Sequence, residues 1–273
     1  MSSRTVLITG TSSGIGLATA IAAAENGWKV IATMRDTAKA GALRAAAEKA
    51  GVSVEVRELD VTDPDSVSAC LSGLDHLDAL VNNAGAGHLG TLEQESIDDV
   101  RAVMEVNFFG VLQVTKAALP LLRESGGRVV TVTSVGGVVG QPFNEAYCAA
   151  KFAVEGFMES LAPVAARVGV AVSVVEPGAV ASEFVNNVAV GDTVLEQAGP
   201  YAAALSACLD RTRGAFANAQ TPHDVATQMV ELLACERPAF RTLTSDTARA
   251  FTGVKLTDFD GSAVQALTGA WIA

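Results

Sequence analysis

Tyr147 and Lys151 stand four residues apart in N-E-A-Y-C-A-A-K, residues 144–151, at the head of an Ala-rich stretch with helical character. Four residues make about one helical turn, so the phenol and the ammonium share a face. A free tyrosine titrates near ~10 and is a poor base at neutral pH; an adjacent ammonium favours the phenolate and moves it toward working range. Such a pair passes a proton to or from a substrate oxygen. The same spacing also arises from an exposed lysine beside a buried tyrosine, so it gains meaning only from its surroundings.

A second group supplies that setting. Residues 5–17, T-V-L-I-T-G-T-S-S-G-I-G-L, read as a strand, a glycine-punctuated turn and a helix. Gly10 permits the tight turn, Gly14 lets the backbone approach a pyrophosphate, and Gly16 lets helix and strand pack closely. The helix N-terminus, with Ile15 in its first turn, favours anionic phosphates, and Ser12 and Ser13 add hydroxyl donors. The order G-x-x-x-G-x-G in this context points to a dinucleotide. The second strand ends V-I-A-T-M-R-D. Met34 stands where an NAD site usually carries an acid, and Arg35 follows, suited to a 2′-phosphate and to stacking on adenine. Asp36 either accepts the ribose hydroxyls or caps the next helix. The charge pattern favours NADP(H) and leaves NAD(H) open.

These groups need a scaffold. Short β-branched runs at 5–9, 30–33, 53–56, 79–81, 128–133 and 170–175 alternate with helical stretches near 15–26, 37–50, 64–73, 96–123 and 146–168. Strands apolar on both faces and separated by helices predict one α/β domain, a doubly wound parallel sheet of Rossmann type covered on both sides. Pro120 is expected to disturb its helix. Residues 183–220 read as a substrate lid. Beyond it, Thr221 caps a helix with Pro222 at its first position, and F-R-T-L-T gives a last strand.

The chain has 273 residues, 49% hydrophobic and 18% charged, with a net charge of −11. Without basic clusters it is not expected to bind nucleic acid or an anionic membrane surface. No secretory signal or transmembrane segment is read, and the four scattered cysteines fit reduced thiols in the cytoplasm with no metal spacing. Cys148, beside Tyr147, is read as a candidate for alkylation.

Taken as a set, T-G-T-S-S-G-I-G at 9–16, Asp60-Val61, N-N-A-G at 82–85, Asn107, Ser134, Tyr147-x-x-x-Lys151 and P-G-A-V-A-S at 177–182 resemble the short-chain dehydrogenases/reductases. The resemblance implies an oxidoreductase interconverting a ketone and a secondary alcohol. Tyr147 would be the acid/base, Ser134 would polarise the substrate oxygen, Lys151 would also hold the nicotinamide ribose, and Asn107 would hold a connecting water. It implies cofactor contacts from Asp60 and Val61 to adenine, from Asn83, Ala84, Gly85, Pro177 and Gly178, and from Val180 and Ser182 to the nicotinamide amide; Asn82 and Asn83 are also read as satisfying backbone groups at a strand end. I-A-T-M-R-D and the C-terminal segments are similar to the 17-beta-hydroxysteroid (estradiol)/retinol dehydrogenase-like branch. Residues 183–220 contain no histidine, however, where the estradiol enzyme uses one on its steroid, so that substrate is not inherited.

Val135, Gly136, Phe143 and Phe184, together with Ser134 and Tyr147, form the expected substrate lining, mostly small and apolar, with His88 and Leu89 at its border. A secondary alcohol or ketone of apolar character fits it. Two other readings share the fold: an NAD(H)-linked alcohol or sugar dehydrogenase, and a non-catalytic nucleotide sensor. Val103, Phe108, Val111, Phe152 and Phe157 predict a helical seam and a homodimer or homotetramer.

Overall fold

The computed structural model describes residues 4–182, 195, 197–216 and 218–273. Seven parallel strands form the sheet in the order β3-β2-β1-β4-β5-β6-β7. They are β1 (Thr5–Ile8), β2 (Lys29–Met34), β3 (Val54–Glu58), β4 (Ala79–Asn82), β5 (Arg128–Val132), β6 (Ala171–Glu176) and β7 (Arg241–Leu243). Each lies where its β-branched run predicts it, within a residue or two.

The strand period of two divides the apolar residues between two cores. Val6 and Ile8 of β1 face α1 (Gly14–Glu25), with Leu43 of α2 (Gly41–Ala50) and the buried face of α8 (Pro222–Ala234). Leu7, between them, faces the opposite layer. That layer is α3 (Pro64–Ser72), α5 (Gly110–Ser125) and α6 (Glu145–Ala166). Thr221 caps α8 and Pro222 occupies its first turn, as the sequence predicts. Of the expected lid, α7 (Ala202–Phe216) is a helix; α9 (Asp246–Leu256) and α10 (Ser262–Gly269) close the chain.

Two helical stretches differ from expectation. Residues Thr37–Ala40 form a 3₁₀ turn before α2. The long run at 96–123 is α4 (Ile97–Met104), a π turn over Glu105–Phe109, and α5. α5 continues through Pro120 to Ser125, so the proline does not end it. The run Ile97–Ser125 is long and apolar enough to cross a membrane. Here its Val111, Val114, Ala118 and Leu122 are packed into the core against the sheet.

The order 2-1-4-5 brings the C-terminal ends of β2, β1, β4 and β5 side by side. The strand order reverses between β1 and β4, and ligands of open α/β sheets bind outside such a switch point.

Candidate active site

The turn after β1 is tied to the loop after β4. Thr9 Oγ1 accepts from the backbone N–H groups of Asn83 and Ala84, each at 2.9 Å. Asn83 Nδ2 donates to the Thr9 and Gly10 carbonyls, also at 2.9 Å. Gly10 takes φ +69°, and a Cβ there would stand 2.8 Å from Ala84 Cα. Asn82 reaches Thr115 Oγ1 at 2.8 Å, so both asparagines do structural work.

The head of α1 suits an anion. Ser13 is its N-cap residue, its side chain makes no capping bond, and the first turn holds no acid. By contrast α3, α4, α8 and α9 are capped by Asp63, Ser96, Thr221 and Ser245. α2, α5, α6 and α10 also lack a side-chain cap; what sets α1 apart is the glycine turn before it at the sheet's switch point, where a helix N-terminus suits a phosphate.

At the end of β2, Met34 is buried and Arg35 exposed. Arg35 forms no ion pair among the described residues. Asp36 Oδ1 accepts the Ala38 N–H at 3.0 Å, capping the turn that follows. Asp60 Oδ1 accepts from Thr62 N and Oγ1 at 2.9 and 2.7 Å, fixing the loop that carries Val61. Val61 is buried against Gly110, whose added Cβ would lie 2.7 Å from Val61 Cγ2.

Ser134 leaves β5 in extended conformation, and its Oγ accepts the Gly136 N–H at 3.0 Å. It also hydrogen-bonds Tyr147. Lys151, 4% exposed, donates from Nζ to the Val132 carbonyl at 3.2 Å. Its Nζ lies 5.7 Å from the centre of the Tyr147 ring. Asn107 sits in the π turn, its Nδ2 donating to Ala86 O at 3.0 Å and its Oδ1 accepting from Ala86 N at 3.2 Å. A Cβ on Gly85 would come 2.9 Å from Asn107 Oδ1 and 3.6 Å from Lys151 Nζ, so these three meet at one point.

Electrostatics here correct the sequence argument. The Tyr147 phenol is pushed up to about 12, burial outweighing the pull of the Ser134 hydrogen bond. The Lys151 ammonium is lowered to about 8 by burial, with the Glu155 charge opposing. Burial penalises both charged forms, so the resting phenol stays protonated at neutral pH although the lysine stands beside it. Cys148 is also buried, its thiol raised to about 11, which removes the reason to read it as reactive.

Of the 177–182 segment, Pro177 O accepts from Val135 N at 3.0 Å, joining the ends of β5 and β6. Gly178 follows it, beside Ala248 and Ser245 at the head of α9. Val180 is buried and packs with α1 and α8. Ser182 lies against Gly14, where a Cβ would come within 3.3 Å of Ser182 Cβ, nearer the phosphate turn than the sequence reading placed it.

Of the expected substrate lining, Phe143 and the border residue Leu89 meet at one cavity, which neither Ser134 nor Tyr147 lines. This cavity of about 400 Å³ is lined by Leu89, Gly90, Phe143 and Leu205, but also by Gln94, Glu95 and Gln197. Phe143 packs with Leu205 and Leu209 of α7 and holds φ +60°, the Gly90 N–H donating to its carbonyl at 2.9 Å. His88 is paired with Glu95. Gly136 is buried with a Cβ position 3.4 Å from both Ser134 Oγ and Tyr147 Cε1, while Val135 is half-buried. Phe184 lies outside the described residues. Of the expected helical seam, Val103 and Val111 are core and Phe108 is partly buried against the sheet, while Phe152 and Phe157 are exposed; Phe109, which the sequence reading did not name, is exposed as well. Among the described residues no His, Cys, Asp and Glu group could hold a metal.

Thr9 and Glu155 went unread in the sequence. Glu155 carried a signal, since Tyr147, Lys151 and Glu155 repeat at a spacing of four along α6.

The family profile described as short chain dehydrogenase matches residues 4–192. The chain belongs to this family. A short-chain dehydrogenase is an oxidoreductase, and this one resembles the retinol and estradiol branch throughout its length. It is 40% identical to Retinol dehydrogenase 8 of Bos taurus over 271 residues, 95% of this chain and 87% of that protein. It is 39% identical to Estradiol 17-beta-dehydrogenase 1 of Rattus norvegicus over 273 residues, 96% of this chain and 79% of that one. Among solved structures, a short-chain dehydrogenase from Streptomyces avermitilis superposes with TM-score 0.77 at 30% identity, covering 99% of this chain and 96% of that one. A short-chain dehydrogenase/reductase from Burkholderia phymatum in complex with NAD gives TM-score 0.81 at 26% identity, covering 94% of each chain.

Proposed function

We propose that this short-chain dehydrogenase uses NADP(H) to interconvert a ketone and a secondary alcohol on a small, predominantly apolar substrate. The observation that carries it is the convergence of Ser134, Tyr147 and Lys151 at the end of β5, with Ser134 hydrogen-bonded to the phenol. The cofactor supplies or accepts the hydride. Everything else falls to the chain. Tyr147, kept neutral by burial, carries its proton at working pH and donates it to the substrate oxygen in the reducing direction. Ser134 Oγ–H orients and polarises that oxygen. Lys151 binds a ribose hydroxyl and lends positive charge as the tyrosine oxygen loses its proton. Asn107 and Gly85 frame the approach to Lys151.

The preference for NADP(H) rests on Arg35, exposed and without an ion pair among the described residues, and on the engagement of Asp36 in its cap. Gln94 and Glu95 at the cavity, the latter paired with His88, favour a substrate with a second polar group away from the reacting carbon. The exposed phenylalanines on Phe109, Phe152 and Phe157 support a homodimer or homotetramer. The test is nicotinamide absorbance with a panel of apolar ketones and secondary alcohols, using NADPH, NADH and their oxidised forms. Turnover fastest with the phosphorylated cofactor supports the proposal. Tight cofactor binding without turnover on any member of the panel favours the sensor.

A further inference from the structure

Directly beneath the reacting residues lies a buried charge cluster to which the proposed chemistry assigns no part. Glu155, on α6 one turn beyond Lys151, is 5% exposed; Glu176, the last residue of β6, is fully buried. Both share a single guanidinium. Arg241 of β7 pairs through Nε with Glu176 and through Nη2 with Glu155 at 3.1 Å. Glu159, also within 3.7 Å of Nη2, is exposed, so water and not the cluster balances it. Thr133 Oγ1, one residue before Ser134, donates to Glu155 Oε1 at 2.5 Å. Gly137 is close as well, since a Cβ there would stand 3.0 Å from Glu155 Cγ. Glu155 therefore touches the strand end that aims Ser134 and shares a helical face with Lys151.

Within ion-pair distance two buried carboxylates share the one Arg241 guanidinium, while the Lys151 ammonium faces Glu155 from farther off and donates to Val132 O, so Glu176 has no cation of its own and ionising both acids is costly. Two like acids in one site avoid that cost when one keeps its proton. The second oxygen of Glu176 is buried without a hydrogen bond of good geometry among the described residues.

We propose that the Glu155–Arg241–Glu176 cluster holds one shared proton, and that Glu155 is a positioning residue that keeps Lys151 charged and Ser134 aimed. The second half rests on the proposed roles of Lys151 and Ser134; the first does not. Burial and the Glu155 charge raise the Glu176 carboxyl to about 7, and the Glu155 charge raises Lys151 against its own burial. The groups that face the cluster are Lys151, Glu155 and Glu159 from α6, Glu176 from β6 and Arg241 from β7. An acid with a raised folded pKa adds a stability slope: the folded chain binds the extra proton between about pH 4.5 and 7, and stability falls as pH rises through that window.

Two variants test this. Glu176→Gln mimics the protonated acid, its amide N–H standing in for the shared proton. It should flatten the fall in urea-denaturation stability between about pH 4.5 and 7. Glu155→Gln keeps an acceptor for Thr133 but removes the charge beside Lys151. Its turnover should lose activity at high pH earlier, the alkaline limb moving down by about 1 unit. An unchanged stability slope in Glu176→Gln overturns the shared proton, even if Glu155→Gln does not fold. An alkaline limb in Glu155→Gln superimposable on wild type overturns the positioning role. Tyr147→Phe, run in parallel, separates failures: if it turns over like wild type, the proposed catalysis is wrong, while the Glu176→Gln slope still decides the proton.

Discussion

Gly16→Ala sets two physical effects against each other. Gly16 sits in the first turn of α1 with no unusual backbone angle, so helix propensity alone predicts that alanine stabilises by about 1 kcal/mol. Space predicts the reverse. A Cβ at Gly16 would lie 2.2 Å from the Gly10 carbonyl oxygen and 2.4 Å from Asn83 Nδ2. Neither neighbour is a loose chain end: one is backbone, and the other is held by two hydrogen bonds at 2.9 Å. Overpacking of this kind costs about 1–3 kcal/mol. Displacing the amide from the Thr9 and Gly10 carbonyls adds about 1 kcal/mol for each bond. Set against the propensity gain, the net loss is about 2–4 kcal/mol, a large share of a stability of about 5–15 kcal/mol. In a domain of this size each kcal/mol lowers Tm by roughly 2–4 °C. The assay is thermal and urea unfolding, with NADPH titration of the folded protein. Gly51→Ala is the control: it takes φ +67° with nothing within 4 Å of its Cβ, so it should cost only the backbone strain, about 1–2 kcal/mol, and leave NADPH binding alone. A Gly16→Ala protein as stable as wild type, binding NADPH equally well, would refute the packing argument.

Lys151→Met should stabilise the folded chain at pH 7. The ammonium sits at about 8 when folded and near ~10.4 when unfolded, so the unfolded chain holds the proton more tightly. The buried charge is therefore penalised below pH 8, and the penalty fades as pH rises toward ~10. After subtracting the bond to Val132 O, the gain at pH 7 should be on the order of 2 kcal/mol by urea unfolding and should vanish near pH 10; an equal gain at both would contradict it. Arg35→Ala should weaken NADPH binding toward the NADH value while NADH binding stays put; no change in either Kd would mean another group reads the ribose. Light scattering at micromolar concentration should give a dimer or tetramer, and a monomer alone would remove the proposed seam through Phe109 and Phe157.

Much of this was legible because it depends on local order. The sheet follows from β-branched runs separated by helices, and the glycine spacing after β1 fixes the turn whatever packs on it. The Tyr147–Lys151 pair is a matter of helical period. What escaped depends on contacts between distant segments. Arg241 reaches Glu176, 65 residues earlier, only because β7 pairs with β6. Gln197 and Glu95 meet at one cavity from segments about a hundred residues apart, which no local pattern around either one shows. Burial was the least legible property. It raises the phenol of Tyr147 and lowers the ammonium of Lys151, reversing the balance inferred from spacing alone.

The central claim is that Tyr147 moves the proton while Ser134 and Lys151 serve it. Ketone reduction by wild type and Tyr147→Phe at saturating NADPH tests it most directly, with cofactor binding measured on the same samples. The account predicts that kcat falls by at least 10²-fold, within the share general acid catalysis supplies, while NADPH binding changes little. Turnover by Tyr147→Phe at the wild-type rate would contradict it.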